Sequence, residues 1–234
     1  MNASQRRIVV TGAGRGLGQA LAHRFAARGD AVWATNRDGA PVEGAAGTVR
    51  LDHRDEASII AAAAQVADAT DGIDVLINCA GTDARSFGAD AARRGPFDLG
   101  PAEFDAVLQV NVTGPMMVTR HFLELLRGGT DAMIVNVSSQ LGSMQVASRM
   151  GNDTAYCVSK AALNMLSVKT ARHLEGDGIG VVMLHPGWLN TDMGGPNAAL
   201  DVDATADVIV DTIGNLSLAD TGRFIRWDGQ EHPW

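Results

Sequence analysis

Short apolar runs alternate along the chain with longer segments in which apolar residues recur every three or four positions. The short runs are continuously apolar and rich in β-branched residues, as in Ile8-Val9-Val10, which is typical of strands covered on both faces. The longer segments are rich in alanine and have the periodicity of helices. This alternation predicts a parallel sheet whose strands are joined by crossover helices.

The pattern locates seven strands and five helices. The strands are predicted at Arg7–Val10, Ala31–Thr35, Thr48–Leu51, Asp74–Ile77, Ala132–Val137, Gly180–Leu184 and Arg223–Arg226. The helices are predicted at Leu17–Ala27, Glu56–Ala69, Pro101–Leu126, Ala155–Leu174 and Ala204–Leu216. We therefore expect an α/β fold with a doubly wound seven-stranded sheet, in one domain over residues 1–234.

Composition and charge exclude several classes of protein. With 46% apolar and 20% charged residues, a disordered chain is excluded. The net charge of −8, with no run of Lys or Arg longer than two residues, argues against a nucleic-acid partner. No apolar stretch is long enough to span a membrane, and the first residues lead directly into the Ile8 strand, so we expect neither a membrane span nor a signal peptide. Only Cys79 and Cys157 are present, which argues against a disulfide framework or a metal site and fits a reduced, cytoplasmic setting.

A glycine-rich turn, Thr11–Gly18, lies between the first strand and the first helix and has the form T-G-x-x-x-G-x-G. Glycine permits a tight turn and lets backbone N–H groups and a helix N-terminus approach a pyrophosphate. The position of the turn favours a Rossmann-type dinucleotide-binding fold over an ordinary glycine-rich turn. The P-loop pattern is missing from the sequence, which disfavours a nucleoside triphosphatase.

The second strand ends in Asn36-Arg37-Asp38, where a dinucleotide-binding fold reads the adenosine ribose. A carboxylate at this tip suits the 2′-hydroxyl of NAD, whereas an arginine accommodates the 2′-phosphate of NADP. Arg37 occupies the tip, and Arg15 in the glycine-rich turn adds a second cation. We expect NADP(H) to be preferred over NAD(H); the alternative is that both arginines are solvated surface charges.

Tyr156 is the only tyrosine of the chain and lies four residues before Lys160, one of two lysines. On a helix this spacing puts both side chains on one face. An ammonium group beside a phenol stabilises the phenolate and lowers the phenol pKa, which would make Tyr156 a general acid toward a carbonyl oxygen. The alternative is a buried tyrosine beside a surface lysine.

Three more polar residues lie where local structure gives them a use. Ser138 and Ser139 end a buried strand at the carboxyl edge of the sheet, where a hydroxyl can donate to a carbonyl oxygen. We expect Ser138 to be a bonded strand-end hydroxyl. Asn111 interrupts an apolar helix, so its side chain or local backbone is expected to be employed. A buried asparagine bonded to nearby backbone is the alternative.

These motifs together resemble the short-chain dehydrogenase/reductase family, in its compact single-domain subtype. The matching segments, which extend over essentially the whole chain, are Thr11–Gly18, Asn78–Gly81, Asn111, Ser139, Tyr156 with Lys160, and His185–Asp192. The resemblance implies that Tyr156 donates a proton, Lys160 holds the nicotinamide ribose, Ser139 polarises the carbonyl and Asn111 helps hold a relay water. It also implies cofactor contacts at Gly12, Arg15, Gly16, Leu17, Gly18, Asn36, Arg37, Asp52, His53, Asn78, Ala80, Gly81, Val110, Tyr156, Lys160, Pro186, Gly187, Thr191 and Met193.

Two departures from the family pattern give a narrower resemblance. Cys79 replaces the second asparagine of N-N-A-G, and the 17-residue spacing from Ser139 to Tyr156 inserts a larger loop on the substrate side. These features are similar to the C-factor and sniffer-like branch of carbonyl reductases. The resemblance implies a homodimer through Pro101–Leu126 and Ala155–Leu174, with apolar residues at Phe104, Leu108, Met116, Phe122, Leu126, Leu163, Leu166 and Val168.

The leading interpretation is an NADPH-dependent reductase of an aldehyde or ketone. The alternatives are a dinucleotide-binding protein of signalling or redox sensing, and an alcohol dehydrogenase working in the oxidative direction. A hydrophobic carbonyl substrate is expected because the flanking loops carry apolar side chains and little positive charge. These residues are Gln140, Leu141, Met144, Val146, Met150, Trp188, Leu189 and Met193.

Overall fold

Seven strands form one parallel sheet in the computed structural model, which describes residues 5–234. They are β1 (Arg7–Val10), β2 (Ala31–Asn36), β3 (Gly47–Arg50), β4 (Val75–Asn78), β5 (Met133–Val137), β6 (Gly180–His185) and β7 (Phe224–Arg226). Their spatial order is β3-β2-β1-β4-β5-β6-β7. The predicted doubly wound α/β fold is confirmed, and each strand end lies within one residue of its predicted position. The expectations that reach residues 1–4, on a signal peptide and on the domain boundary, lie partly outside the described residues.

Eight α-helices connect and cover the strands within residues 5–234. They are α1 (Gly16–Ala27), α2 (Glu56–Ala67), α3 (Pro101–Leu108), α4 (Gly114–His121), α5 (Leu123–Arg127), α6 (Met144–Ala147), α7 (Thr154–His173) and α8 (Val202–Gly214). Consecutive β1 residues face opposite sides of the sheet, so Ile8 and Val10 pack with the α1 and α8 layer while Val9 packs with the α2, α4 and α7 layer. Two apolar layers, one on each face, explain why the strands are apolar throughout.

The single long helix predicted at Pro101–Leu126 is wrong, because the chain breaks there into α3, α4 and α5. A π-helical segment, Gln109–Thr113, separates α3 from α4. Pro115 lies in the first turn of α4, where its missing N–H and its ring oppose a continuous α-helix. Gly114 also packs against His53 so closely that a Cβ would lie 2.6 Å from the His53 Cβ. The extra residue of the π segment brings Asn111 to a buried position.

Several residues expected at a dimer interface are instead part of the monomer core. The side chains of Phe122, Leu126 and Leu163 are at most 1% exposed, because they pack beneath the sheet-facing side of their helices. These three residues therefore belong to the core-facing side of helices that carry apolar residues on more than one face. Met116 on α4 and Met165 on α7 are 43% and 60% exposed, so they lie on the outer faces of the two helices.

The sheet places the ends of distant segments together. The chain passes from β3 at one edge to β4 beside β1, so connections from β1 and β4 leave the sheet in opposite directions. In open α/β sheets, the crevice at such a switch point is where ligands bind, beyond the carboxyl ends of the strands.

Within residues 5–234, no helix has both the length and the apolar character needed to cross a bilayer.

Candidate active site

The glycine-rich turn after β1 packs directly on the end of β4. Gly12 has φ +70°, and a Cβ there would lie 2.7 Å from the Ala80 Cα. The Thr11 hydroxyl accepts hydrogen bonds from the backbone N–H groups of Cys79 and Ala80, at 3.1 and 3.2 Å. A Cβ on Gly18 would lie 2.4 Å from the Gly12 carbonyl oxygen. The turn therefore needs glycine at both positions to bring its backbone this close to the sheet.

The N-terminus of α1 is suited to an anion. Its N-cap residue, Arg15, makes no side-chain capping bond, and no acidic residue lies in the first turn. The first N–H groups of the helix and the positive end of its dipole are thus available to a phosphate. Gly16, with φ +56°, lies beside Thr191, and the Leu17 side chain packs into the core. These features fit the pyrophosphate of a dinucleotide.

At the end of β2, Asn36 shapes the following turn, and Arg37 is exposed. The Asn36 amide exchanges two hydrogen bonds with the backbone of Ala40, at 2.8 and 3.0 Å, so it shapes the following turn. Arg37 is exposed, and it makes no side-chain hydrogen bond or ion pair within the described part of the chain. Arg15 donates to Asp192 at 2.9 Å, in a pair whose side chains are both 76% exposed. Both guanidinium groups are accessible to an anionic ligand.

The segment after β3 contributes one accessible and one buried side chain. Asp52 is half-buried and accepts from the Arg54 N–H at 2.9 Å. His53 is buried, and its Nε2 has no hydrogen-bond partner. Burial lowers the pKa of His53 to about 4, an effect that the Asp52 charge opposes and that Lys160 reinforces, so the imidazole is neutral at physiological pH.

The residues after β4 lie between the glycine-rich turn and α7, the helix that carries Tyr156 and Lys160. The Asn78 amide points into the interior, where it donates to Asn136 at 2.8 Å. Ala80 and Gly81 present backbone instead. A Cβ on Gly81 would lie 3.6 Å from both the Asn111 Oδ1 and the Lys160 Nζ, so this glycine lies against two of the predicted catalytic side chains.

Tyr156 and Lys160 lie on one face of α7, as predicted. The Lys160 Nζ is 5.6 Å from the centre of the Tyr156 ring and donates to the Val137 carbonyl at the end of β5, at 2.8 Å. Lys160 is only 3% exposed, and burial lowers its pKa to about 8. The alternative of a surface lysine is therefore wrong.

The pKa of Tyr156 differs from the sequence expectation. Burial raises it to about 12, Ser139 lowers it as a hydrogen-bonding neighbour, and the Asp83 charge raises it. The expected lowering by the Lys160 ammonium is not found, because that ammonium is directed at the Val137 carbonyl and lies beside the ring. Tyr156 consequently keeps its proton at neutral pH.

The two serines and Asn111 take separate roles. Ser138 is buried and donates to Asn164 at 2.6 Å, which matches its expected structural role. Ser139 is half-buried, accepts from the Leu141 N–H at 3.1 Å and lies beside Tyr156. The Asn111 amide clamps the backbone of Thr82 with bonds of 2.8 and 2.9 Å and donates to the Ser159 hydroxyl at 2.9 Å. Its side chain thus ties the π segment to the β4 loop and to α7.

The remaining predicted contacts lie near the other wall of the crevice. Val110 is half-buried in the π segment, and Pro186 and Gly187 are half-buried just after β6. Met193 is exposed beyond Thr191. Leu189 is 6% exposed and packs with the α1 and α8 core, so its expected place in the substrate pocket is wrong.

Sequence reasoning missed two arginines that organise the site. Arg85 pairs with the buried Asp83 in the β4 loop. Arg94 forms an ion pair with Asp153, the residue immediately before α7. The Arg94 carbonyl also accepts a hydrogen bond from the Thr154 N–H at 3.0 Å. The D-x-R spacing of Asp83 and Arg85 is a local signal that could have indicated the first pair. The second pair joins residues far apart in the chain.

Comparison with known proteins identifies the family. The family model described as short chain dehydrogenase matches residues 6–200. C-signal of Myxococcus xanthus is 37% identical over 162 residues, which cover 69% of this chain and 93% of that protein. An NADPH-bound carbonyl reductase from chicken fatty liver has a TM-score of 0.88 and 31% identity, covering 99% of this chain and 100% of that one. Carbonyl reductase Sniffer of D. melanogaster also has a TM-score of 0.88, with 29% identity over 98% of this chain and 100% of its own. The chain therefore belongs to the short-chain dehydrogenase/reductase family and is an NAD(P)-dependent oxidoreductase.

Proposed function

We propose that the protein reduces an aldehyde or ketone to an alcohol with NADPH, with Tyr156 as the proton donor. The observation that carries this proposal is the convergence of Tyr156, Ser139 and Lys160 beside the glycine-rich turn, at the carboxyl edge of the sheet. When bound, NADPH supplies the hydride from its nicotinamide ring. The chain's own residues then have to hold the carbonyl, donate a proton to its oxygen and exclude competing water.

The protonation states of the site fit the roles proposed for Tyr156, Ser139 and Lys160. With a pKa raised to about 12, Tyr156 holds the proton that a carbonyl oxygen needs as negative charge develops on it. Ser139 can donate a second hydrogen bond to the same oxygen without carrying charge. Lys160, with a pKa of about 8, is mostly an ammonium at neutral pH and suits a ribose hydroxyl as its ligand. The same groups would serve alcohol oxidation in reverse, so the reductive direction is proposed from the expected preference for NADP(H).

Preference for NADP(H) is supported by the two accessible guanidinium groups. Arg37 at the tip of β2 has no partner among residues 5–234, and the exposed pair of Arg15 with Asp192 is weak and exchangeable. A 2′-phosphate would gain charge-assisted hydrogen bonds from either arginine. The chicken carbonyl reductase with the same fold was solved with NADPH bound, which agrees with this assignment.

A hydrophobic substrate is supported by the side chains at the entrance. Met144, Met150, Trp188 and Met193 are 39–76% exposed on the loops that flank the catalytic residues. Flexible methionines beside an indole offer area to apolar and aromatic carbonyl compounds of several shapes. We also propose a cytoplasmic location, since Cys79 and Cys157 are both free thiols.

The proposal is tested by following NADPH consumption with a panel of aldehydes, ketones, quinones and imines. The expected result is turnover of several hydrophobic aldehydes or ketones, with NADH used less well. NADPH binding without turnover of any carbonyl compound would favour the dinucleotide-binding alternative. Turnover of alcohols with NADP⁺, but of no carbonyl compound with NADPH, would favour the oxidative alternative.

A further inference from the structure

The segment Trp188–Leu200, which we call the flap, follows β6, lies against the glycine-rich turn where Thr191 is beside Gly16, and closes on itself. The Leu200 N–H donates to the Trp188 carbonyl at 3.1 Å, and the Asn190 N–H donates to the Leu200 carbonyl at 2.9 Å. The Trp188 indole crosses the flap and donates to the Gly194 carbonyl at 2.9 Å. These bonds hold the flap together as a small unit.

Arg85 joins this flap to a buried carboxylate. Its Nε and Nη2 donate to the Asp83 Oδ2 at 2.9 and 2.5 Å, and Nη2 also donates to the Met193 carbonyl at 2.7 Å. The Asp83 side chain is 9% exposed, and its Oδ1 accepts from the Arg85 N–H at 2.9 Å. Arg85 and Trp188 therefore hold two consecutive flap carbonyls, those of Met193 and Gly194.

The anchor of this link is rigid and belongs to the catalytic region. Asp83 follows Thr82, whose N–H and carbonyl are both bonded to the buried Asn111 amide. A carboxylate this deeply buried requires a partner, which fixes the guanidinium in place. The other polar link from the flap, Asp192 with Arg15, is 76% exposed on both sides and contributes little. Arg85 thus gives the flap a polar link at Met193, in addition to the packing of Leu189 in the core.

We propose that Arg85 is a positioning residue for substrate specificity: anchored by Asp83, it holds the flap at Met193 and so sets where the neighbouring Trp188 side chain lies. The flap is then kept at a set distance from the reacting carbonyl, and bulky substrates are the most sensitive to it. The role of Trp188 toward substrate rests on the proposed function, whereas the link between Arg85 and the flap does not.

The ion pair of Asp83 with Arg85 is one of several charged groups that surround Tyr156. Asp83 and Asp153 raise the pKa of Tyr156, as does Cys157, while Ser139 lowers it. Asp153 has its own counter-ion in Arg94. Lys160 faces the ring, with its Nζ at 5.6 Å from the centroid. Arg85 is the counter-ion of Asp83, so removing Arg85 leaves a buried carboxylate without its partner.

The link is tested by hydrogen exchange of residues 188–200, measured by mass spectrometry on the full chain with NADPH present. Arg85→Ala is expected to accelerate exchange of the flap by about tenfold or more, because the Met193 carbonyl and the Asp83 carboxylate both lose their partner. Arg85→Lys should give an intermediate effect, since one ammonium cannot replace the guanidinium fork. Arg28→Ala is the matched control, because Arg28 forms its ion pair with Asp211 on the distant α1 and α8 face. Equal flap exchange in the wild type and in Arg85→Ala would overturn the proposal.

Kinetics test the specificity part separately. Arg85→Ala should raise KM for bulky aromatic aldehydes about tenfold more than for small aldehydes. Equal KM changes for large and small substrates would overturn this part even if the flap is loosened. If no carbonyl compound is turned over at all, the proposed function fails, while hydrogen exchange still decides whether Arg85 holds the flap.

Asp83→Asn distinguishes loss of the Asp83–Arg85 ion pair from a general loss of folding. Asp83→Asn keeps the shape of the side chain but removes its charge. Flap exchange in Asp83→Asn is expected to lie between that of wild type and that of Arg85→Ala, since a neutral amide oxygen holds the guanidinium less strongly than a carboxylate does. If Arg85→Ala does not fold, the double variant Asp83→Asn with Arg85→Ala removes the unpaired charge and should still show fast flap exchange. Flap exchange in Asp83→Asn equal to that of wild type, or slow flap exchange in the double variant, would contradict the proposal.

Discussion

Replacing Lys160 with methionine should make the cofactor-free protein more stable, although it removes a predicted catalytic group. Lys160 is 3% exposed and has one hydrogen-bond acceptor, the Val137 carbonyl at 2.8 Å. Burial lowers the pKa of Lys160, and the nearby Cys79 opposes this shift. The folded state therefore bears the cost of an ammonium that has lost its water. Methionine has a similar length and no charge.

The size of the effect follows from the pKa. Lowering the pKa of Lys160 from 10.5 to about 8 corresponds to about 3 kcal/mol of destabilisation when both folded and unfolded states are protonated. Methionine forfeits the bond to the Val137 carbonyl, which costs about 1 kcal/mol. The expected net gain in the free energy of unfolding at neutral pH is therefore about 2 kcal/mol.

The sign of the pH dependence is also fixed. Below pH 8 the folded and unfolded wild type both bind the Lys160 proton, and the full cost applies. Between about 8 and 10.5 the unfolded chain stays protonated while the folded protein loses its proton, so the wild type gains stability as pH rises. The advantage of Lys160→Met should shrink by about 1.4 kcal/mol per pH unit through this window.

Urea unfolding of wild type and Lys160→Met, repeated from neutral pH to pH 10.5, measures this difference. Lys169→Met is the matched control, because Lys169 is the other lysine of the chain and is exposed on the same helix. The Lys169→Met difference from wild type gives the baseline for removing a lysine from this helix. A stability difference for Lys160→Met that does not change with pH would refute the reasoning, since it would mean that burial does not disfavour the ammonium.

The other predictions concern the cofactor, the substrate and assembly. Arg37→Asp should lower the ratio of kcat/KM for NADPH over NADH by about tenfold or more, because an attraction to the 2′-phosphate becomes a repulsion; an unchanged ratio would implicate Arg15 or neither arginine. Trp188→Ala should raise KM for bulky aromatic aldehydes more than for small ones, and a narrow preference for anionic substrates would contradict the apolar pocket. Light scattering at micromolar concentration should give a homodimer that Met165→Glu shifts toward monomer, because Met165 and Met116 expose apolar area on α7 and α4. A wild-type monomer would exclude this assembly.

The fold could be predicted from sequence because its strands are covered on both faces. That environment makes each strand a continuous apolar run, as in Val75-Leu76-Ile77, and the pattern is local. The break between α3 and α4 was also available in principle, since Gly114-Pro115 interrupts the helical pattern. The π segment before it was not, because it depends on Asn111 reaching Thr82 and Ser159, which are 29 and 48 residues away.

The candidate site was predicted in its residue types and less well in its contacts. Tyr156 with Lys160 has a helical spacing that places both side chains on one face from sequence alone. The direction of the Asn78 amide is decided by Asn136 on the next strand, which a linear pattern does not encode. The link from Arg85 to Met193 spans 108 residues and two loops, so only the folded chain shows it. The raised pKa of Tyr156 likewise follows from three-dimensional burial.

The measurement that tests the central claim most directly compares wild type with Tyr156→Phe in NADPH consumption and in NADPH binding. The single substitution removes the phenolic hydroxyl and leaves the ring to pack as before. We predict that a hydrophobic aldehyde turned over by the wild type is reduced by Tyr156→Phe at least about a hundredfold more slowly, while NADPH binding, followed by its fluorescence, stays within a few-fold of wild type. Reduction by Tyr156→Phe within about tenfold of the wild-type rate would contradict the assignment of Tyr156 as the proton donor.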